Sequence, residues 1–189
     1  MTAVRWRMDG VYAVTAWSPR VRAGAKAPSF ADVAEQFLDD VHAYLVYLTG
    51  ERSLAEDLTS ETFERAFRSW RRYDPRRGSA KTWLCQIARS TALDHFRADQ
   101  RRRRREDVYA SREPGVDERP LLDGLSPALE QAVRSLSAAE REVVALRVVL
   151  DLDGETVARV LGISSSACST RLSRALQKLQ EKVSRDVTV

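Results

Sequence analysis

The sequence predicts an all-α protein made of two small helical domains joined by a flexible acidic linker. Apolar residues recur at helical spacing in several segments, and serine-led capping signals precede most of them. No segment of useful length alternates apolar and polar residues as a half-exposed strand would. The 189 residues, 43% of them hydrophobic and 31% charged, are enough for one large domain or two small ones. The net charge of +4 permits nucleic-acid binding without demonstrating it.

Changes in composition along the chain predict the domain boundaries. Residues 1–28 show no clear period and form an N-terminal extension, expected to be poorly ordered. Residues 29–105 form the first predicted domain and residues 127–183 the second. Between them, residues 106–126 hold two basic and six acidic side chains with scattered Pro and Gly, which is typical of a linker. Residues 184–189 form a tail.

Capping signals predict where the helices begin. In a capping box, a serine side chain accepts from the backbone three residues later, and the acidic side chain there bonds back to the serine. Three such pairs predict helix starts, namely Ser29 with Asp32, Ser53 with Glu56, and Ser137 with Glu140. Ser126 followed by Pro127 predicts a further start, and Gly50 predicts the end of the first helix.

The first domain is expected to hold three helices. A Pro- and Gly-containing loop, residues 73–79, separates the second helix from the third. The third helix is predicted over residues 80–98 and leads into an arginine run, residues 101–105. We interpret this run as a phosphate-contacting helix end rather than merely a solvated one.

Residues 155–176 have the pattern of a helix-turn-helix. Ala158 is small where two helices must cross, Gly162 suits a turn with positive φ, and Ser164 is a predicted cap for the second helix. That helix is expected to bury the apolar residues Ala167, Cys168, Leu172, Ala175, Leu176 and Leu179. Its other face carries short hydroxyls and arginines, which suit a DNA major groove. We favour a DNA-reading helix over an ordinary helical hairpin with a solvated face.

The sequence argues against an enzyme, a metal site and a membrane protein. The only histidines, His42 and His95, have no nucleophile, metal cluster or Gly-rich phosphate loop beside them. Cys85 and Cys168 are predicted core residues, so we expect neither a metal site nor a disulfide, and no cofactor. No stretch approaches the roughly 18 apolar residues of a membrane span. Lacking a signal-peptide pattern as well, the chain is expected to be cytoplasmic, with no membrane insertion.

Three motifs in order resemble a known family. They are the acidic segment Asp57-Leu-Thr-Ser-Glu-Thr-Phe63, the segment Thr82-Trp-Leu-Cys-Gln-Ile-Ala-Arg89 with Asp94-His-Phe-Arg97, and Leu136-Ser-Ala-Ala-Glu-Arg-Glu142 followed by the helix-turn-helix. Together they resemble the bacterial RNA polymerase sigma factors of the extracytoplasmic-function group. The resemblance covers residues 29–105 and 127–183, and implies the family's regions 2 and 4 without its region 3.

The resemblance implies an alternative sigma factor, which is not itself an enzyme. Such a protein binds core RNA polymerase, recognises the −10 and −35 elements of promoter DNA and promotes DNA opening. The implied polymerase contacts are Asp57, Glu61, Glu56 and Glu64. The implied contacts with the single-stranded −10 element are Arg76, Arg77, Ser79, Lys81, Arg89, Ser90, Asp94, Arg97 and Arg101. The implied contacts with the duplex −35 element are Ser166, Ser169, Thr170, Arg171, Ser173 and Arg174. An anti-sigma factor is a further implied partner.

The sequence departs from the family pattern at several positions. Ser60 stands where glutamine is common, Ser90 where asparagine is common, and Ser169 where lysine or arginine is common. The opening of the helix-turn-helix is also unusual, and Asp153 is its predicted N-cap. The alternative hypothesis is a two-domain helix-turn-helix regulator that acts on duplex DNA without joining polymerase. Under that hypothesis Asp57 and Glu61 of the second helix are dispensable. Trp83 is expected to pack in the core rather than stack on a base.

Overall fold

The computed structural model describes residues 28–106 and 126–186. Their secondary structure consists of helices and turns without a strand, which confirms the all-α prediction for this part of the chain. Nearly all of the predicted extension and linker, and the end of the predicted tail, lie outside the described residues. The helices form an N-terminal group, which we define as α1 to α3, and a C-terminal group, α4 to α7.

The N-terminal group is a bundle of three helices. Its helices are α1 (Phe30–Thr49), α2 (Arg52–Ser69) and α3 (Ala80–Glu106), with a 3₁₀ turn over Trp70–Arg72. The third helix is therefore continuous through the arginine run. Each of the three helices packs on the other two, around buried residues that include Leu45, Leu58 and Leu84.

The helix boundaries in this group confirm one predicted capping box and contradict another. Ser29 and Asp32 form the expected box, and Gly50 ends α1 with a φ of 72°. The box predicted at Ser53 and Glu56 is wrong, because α2 already begins at Arg52 and its extended N-cap is Glu51. The Ser53 hydroxyl instead donates to the Glu51 carboxylate over 2.9 Å.

The C-terminal group holds four helices and a π-helical turn. They are α4 (Pro127–Arg134), α5 (Ala138–Val144), the π turn Ala145–Val149, α6 (Gly154–Leu161) and α7 (Ser165–Asp186). The predicted caps are all present here. Ser126 caps α4, Ser137 and Glu140 form a capping box on α5, and Asp153 caps α6.

The predicted helix-turn-helix consists of α6 and α7. Gly162 ends α6 with a φ of 67°, and the Ser164 hydroxyl accepts from the Ala167 backbone N–H over 3.2 Å. The predicted burial of Ala167 and Leu176 is wrong, since Ala167 is exposed and Leu176 is 43% exposed. The buried stripe of α7 runs through Cys168 and Ala175. A residue adjacent in sequence lies about 100° further round the helix and so leaves that stripe.

The two helix groups pack against each other. Helix α1 lies against α5 and the π turn, and α3 lies against α6. The buried apolar residues of both groups form one continuous cluster, which includes Val41 and Leu45 of α1 and Val143 and Leu146 from the C-terminal group. The faces of α1 and α3 that meet the C-terminal group are therefore covered.

Candidate functional site

The acidic face of α2 carries the four side chains predicted to contact polymerase. Asp57 is exposed. The other three form i,i+4 ion pairs within α2, namely Glu56 with Arg52 (3.5 Å), Glu61 with Arg65 (2.6 Å) and Glu64 with Arg68 (2.6 Å). Exposed pairs of this kind stabilise a protein by about 0–1 kcal/mol each. These carboxylates are therefore held loosely and can exchange an internal partner for an external one.

Arg65 connects this acidic face to α3. Its Nη1 lies 3.1 Å from Asp94 Oδ2, while its Nη2 lies 2.6 Å from Glu61 Oε1. The hydrogen bond to Asp94, and then that to Glu61, raises the pKa of the Arg65 guanidinium. Arg97 approaches the other oxygen of Asp94 at 3.6 Å. A shallow groove of about 320 Å³ lies beside this network, lined by Arg65, Ser69, Trp83, Gln86, Ile87 and Ser90.

An aromatic stack supports the loop between α2 and α3. Trp70 and Tyr73 are stacked with ring centroids 5.0 Å apart, and Trp83 lies 5.3 Å from Tyr73. The Tyr73 hydroxyl donates to the Gly78 carbonyl across the loop over 3.1 Å. Trp83 also packs against the core cluster, as the sequence predicts. The loop is therefore anchored at its base.

The tip of this loop presents polar side chains to solvent. Arg76, Arg77 and Ser79 are exposed. The Asp74 carboxylate accepts from the Arg76 backbone N–H over 3.0 Å, which fixes the turn. The Ser79 hydroxyl accepts from the Thr82 backbone N–H over 3.2 Å, at the start of α3.

The predicted −10 contacts on α3 fall into two sets. Ser90, Asp94, Arg97 and Arg101 are exposed. Two cations are instead engaged within the protein, since Lys81 Nζ lies 2.9 Å from Asp40 Oδ2 and Arg89 Nε lies 2.8 Å from Glu142 Oε1. Arg89 is thus turned toward the C-terminal group and away from the open face that the other side chains share.

Glu142 of α5 is a residue to which the sequence assigned no role. It is 8% exposed, and its Oε1 accepts both from Arg89 and, over 3.3 Å, from the Tyr44 hydroxyl. Tyr44 is fully buried, and burial followed by the negative charge of Glu142 raises the pKa of its hydroxyl well above the ordinary value. One feature of the sequence could have identified Glu142 as a buried residue. It lies one helical turn before the apolar Leu146, on the same helix face.

A second polar contact joins the groups at the end of α1. Arg134 Nη1 donates to the Gly50 carbonyl over 3.3 Å. The Arg141 guanidinium lies against the same glycine, so that a Cβ at position 50 would be 2.9 Å from its Nη1. Burial, and then the charge of Arg134, lowers the pKa of Arg141. Both cations meet the C-terminal end of α1, where the helix dipole is negative.

The outer face of α7 carries the predicted −35 contacts. Ser166, Ser169, Thr170, Ser173 and Arg174 are exposed, and Arg171 is half-buried. A depression of about 500 Å³ lies between this face and the start of α5, lined by Ser137, Ala139, Glu140, Ser166, Ala167, Thr170, Arg171 and Arg174. The structure therefore brings all six predicted residues onto one helix with short hydroxyls and cations available.

The described part of the chain contains neither a metal site nor a membrane-spanning helix. No group of His, Cys, Asp and Glu side chains there has the arrangement of a metal site. In the same residues, every helix is too short or too polar to cross a membrane.

Comparison with known proteins connects both helix groups to one family. The model of Sigma-70 region 2 matches residues 33–102, and that of Sigma-70, region 4 matches residues 126–179. The RNA polymerase sigma factor CarQ of Myxococcus xanthus is 32% identical over 167 residues, covering 86% of this chain and 92% of CarQ. The ECF RNA polymerase sigma factor BldN of Streptomyces coelicolor is 35% identical over 164 residues, covering 85% of this chain.

The chain spans 62% of the length of BldN, and the same share of the ECF sigma factor SigE of Mycolicibacterium smegmatis. Among solved structures, the sigma factor RpoE in complex with the anti-sigma factor NepR from Bartonella quintana is similar, with a TM-score of 0.69 and 24% identity. That likeness covers 82% of this chain and 96% of the other, and concerns the fold.

Proposed function

Because the chain belongs to the extracytoplasmic-function group of RNA polymerase sigma factors, we propose that it acts as an alternative sigma factor. In this role it binds core RNA polymerase, recognises the −10 and −35 elements of promoter DNA and promotes DNA opening. The carrying observation is that both family segments occur in one chain, each on its own helix group with an exposed polar face. We take residues 29–105 and 127–183 as the two functional domains.

Core polymerase binding is assigned to the acidic face of α2. Asp57 is exposed, and Glu61 is held by only one short pair on the surface of the helix. Glu56 and Glu64 flank them with similar exposed pairs. Since such pairs contribute little to folding, the acids are available to a cationic partner surface at small cost.

Binding of the −10 single strand is assigned to the loop between α2 and α3 and to the open face of α3. The anchored loop presents Arg76 and Arg77, which suit phosphate oxygens. Ser90, Asp94 and Arg97 lie exposed further along α3. A basic groove with a few polar side chains can hold a displaced strand, because charge neutralisation releases counterions from the phosphates.

Recognition of the −35 duplex is assigned to α7. Its exposed hydroxyls and arginines fit the major groove, where arginine can pair with guanine and serine or threonine with several base edges. Opening then relies on binding energy for the separated strand, and the polymerase performs the chemistry. An anti-sigma factor that restrains this chain is a proposed partner, on the pattern of RpoE, which is solved in complex with NepR.

In vitro transcription tests the proposed function. Purified chain is combined with bacterial core polymerase and a pool of genomic promoter fragments. The variant Asp57→Lys/Glu61→Lys should lose discrete transcripts by at least about a hundredfold, because each of the two lost charged contacts is worth about 1.5–3 kcal/mol. The matched control is Glu35→Lys/Asp39→Lys, which makes the same charge change on exposed positions of α1.

The control should retain the transcripts. If the wild-type chain shifts duplex DNA but neither joins core polymerase nor starts transcripts, the proposed function is wrong. The hypothesis of a regulator that acts on duplex DNA then replaces the proposed function, and the polymerase contacts assigned to α2 are wrong as well.

A further inference from the structure

Two acids of α5 are buried, and they have partners in different parts of the molecule. Glu140 bonds to Ser137 and Lys178, which both belong to its own helix group. Glu142 bonds to Tyr44 and Arg89, which both belong to the other group. The Glu142 contacts therefore exist only while the C-terminal group lies against the N-terminal group.

The free energy of this pair accordingly acts on the packing of one helix group against the other. A buried carboxylate without a partner is strongly disfavoured, so Glu142 stabilises the closed packing only because Arg89 and Tyr44 meet it. When the groups separate, both Glu142 and Arg89 return to water and neither is left unsatisfied in an interior. Loss of the charge at Glu142 would then weaken the contact between the groups and leave each group's own helices in place.

The contact also occupies a nucleic-acid-binding donor. Arg89 Nε donates to the carboxylate over 2.8 Å, and the side chain is 27% exposed. A guanidinium binds carboxylate and phosphate oxygens with the same donors and similar geometry. Arg89 therefore cannot offer that donor to a phosphate while Glu142 holds it.

We propose that Glu142 is an internal competitor for nucleic-acid phosphate at Arg89, and that α5 withholds the Nε donor of this arginine whenever the two helix groups are closed. Contact between the Arg89 Nε donor and a single strand requires the C-terminal group to leave α1 and α3. The nucleic-acid half of this inference rests on the proposed function, whereas the closure half does not. The hydrogen bond from Arg134 to the Gly50 carbonyl supplies a second polar contact that holds the same closed packing.

Closure is tested by double electron–electron resonance on the full chain. Spin labels are attached at Gln36→Cys and Gln131→Cys, which are exposed positions on α1 and α4. Native Cys85 and Cys168 are 0% and 2% exposed and should not take up label. The doubly labelled chain is expected to give one narrow distance distribution.

The variant Glu142→Gln should broaden this distribution toward longer distances. Glu181→Gln, which removes an exposed acid of α7, is the matched control and should leave it unchanged. Tyr44→Phe removes only the hydroxyl donor and should give a smaller change in the same direction, so that closure remains testable if Glu142→Gln misfolds. A distribution unchanged in both Glu142→Gln and Tyr44→Phe would overturn the closure.

Competition is tested by binding of a mixed-sequence single-stranded oligonucleotide to the full chain. Glu142→Gln should tighten binding by about tenfold, the equivalent of one charged hydrogen bond released for use. The gain should disappear in an Arg89→Gln background. A gain that persists without Arg89, or no gain although the distances lengthen, refutes the competition. Neither result depends on polymerase, so both are distinguishable from failure of the proposed function in transcription.

Discussion

Glu140 offers a direct measurement of how one charge stabilises the C-terminal helix group. Its Oε2 accepts from the Ser137 backbone N–H over 2.9 Å and from the Ser137 hydroxyl over 2.8 Å. Its Oε1 lies 2.5 Å from Lys178 Nζ on α7. The bond with Lys178, followed by those with Ser137, lowers the pKa of this carboxyl from 4.5 to about 2.

Two substitutions separate the charge from the cap. Glu140→Gln keeps a side chain that completes a capping box but loses the ion pair with the half-exposed Lys178, at a cost of about 1 kcal/mol. Glu140→Ala also loses the box, which adds about 1 kcal/mol. We therefore expect losses of about 1 and about 2 kcal/mol at neutral pH. For a chain of this length each kcal/mol lowers the Tm by about 2–4 °C.

The pH dependence has a defined sign. Because the folded pKa of Glu140 is depressed, its contribution is fully present above the unfolded pKa of 4.5 and is lost as the pH falls toward about 2. Urea unfolding followed by far-ultraviolet circular dichroism measures the unfolding free energy at each pH, with Glu181→Gln as control. The difference in unfolding free energy between the wild type and Glu140→Gln should narrow as the pH is lowered from 4.5 toward about 2. An equal stability at neutral pH, or a gap that does not narrow, would refute the reasoning.

Two further predictions concern the turn and the thiols. Gly162→Ala should lose about 1–2 kcal/mol of unfolding free energy, because φ is 67° there. The loss is due to the backbone alone, since an added Cβ would have no atom within 4 Å. Gly154→Ala, with equal space and no positive φ, should be neutral or stabilising in the same urea unfolding, and equal losses would contradict the backbone explanation. Cys85, whose thiol pKa burial raises to about 12, and the buried Cys168 should react with a disulfide reagent only after unfolding in urea. Rapid reaction of either thiol in the native chain would contradict their burial.

The sequence predicts best those features that depend on a few neighbouring residues. The box at Ser29 involves atoms within one helical turn, and so does the cap at Asp153. The capping box predicted at Ser53 does not form because another local hydrogen bond sets the start of α2. Thr49 accepts from the Glu51 backbone N–H over 3.1 Å and holds the extended residue just before α2, so the helix starts too early for Ser53 to cap it.

Features that depend on how the helices pack are less accessible from the sequence. The exposed faces of α2 and α7 are predictable because helical period alone separates them from the core. The width of the buried stripe is not predictable in this way, and Leu176 falls outside it with 43% of its surface exposed. The pair of Arg89 with Glu142 joins positions 53 residues apart, and no periodicity in either helix identifies its partner.

Glu140 and Glu142 together distinguish folding from closure. Residues two apart on a helix lie about 200° apart around its axis, so one short helix directs its two acids to opposite sides. One acid faces α7 in the same group, and the other faces α1 and α3. Neutralising Glu140 should therefore lower the unfolding free energy without lengthening the distance between the groups, whereas neutralising Glu142 should lengthen that distance. If both substitutions changed both measurements equally, α5 would fold only when docked, and closure would be part of the fold rather than a separate step.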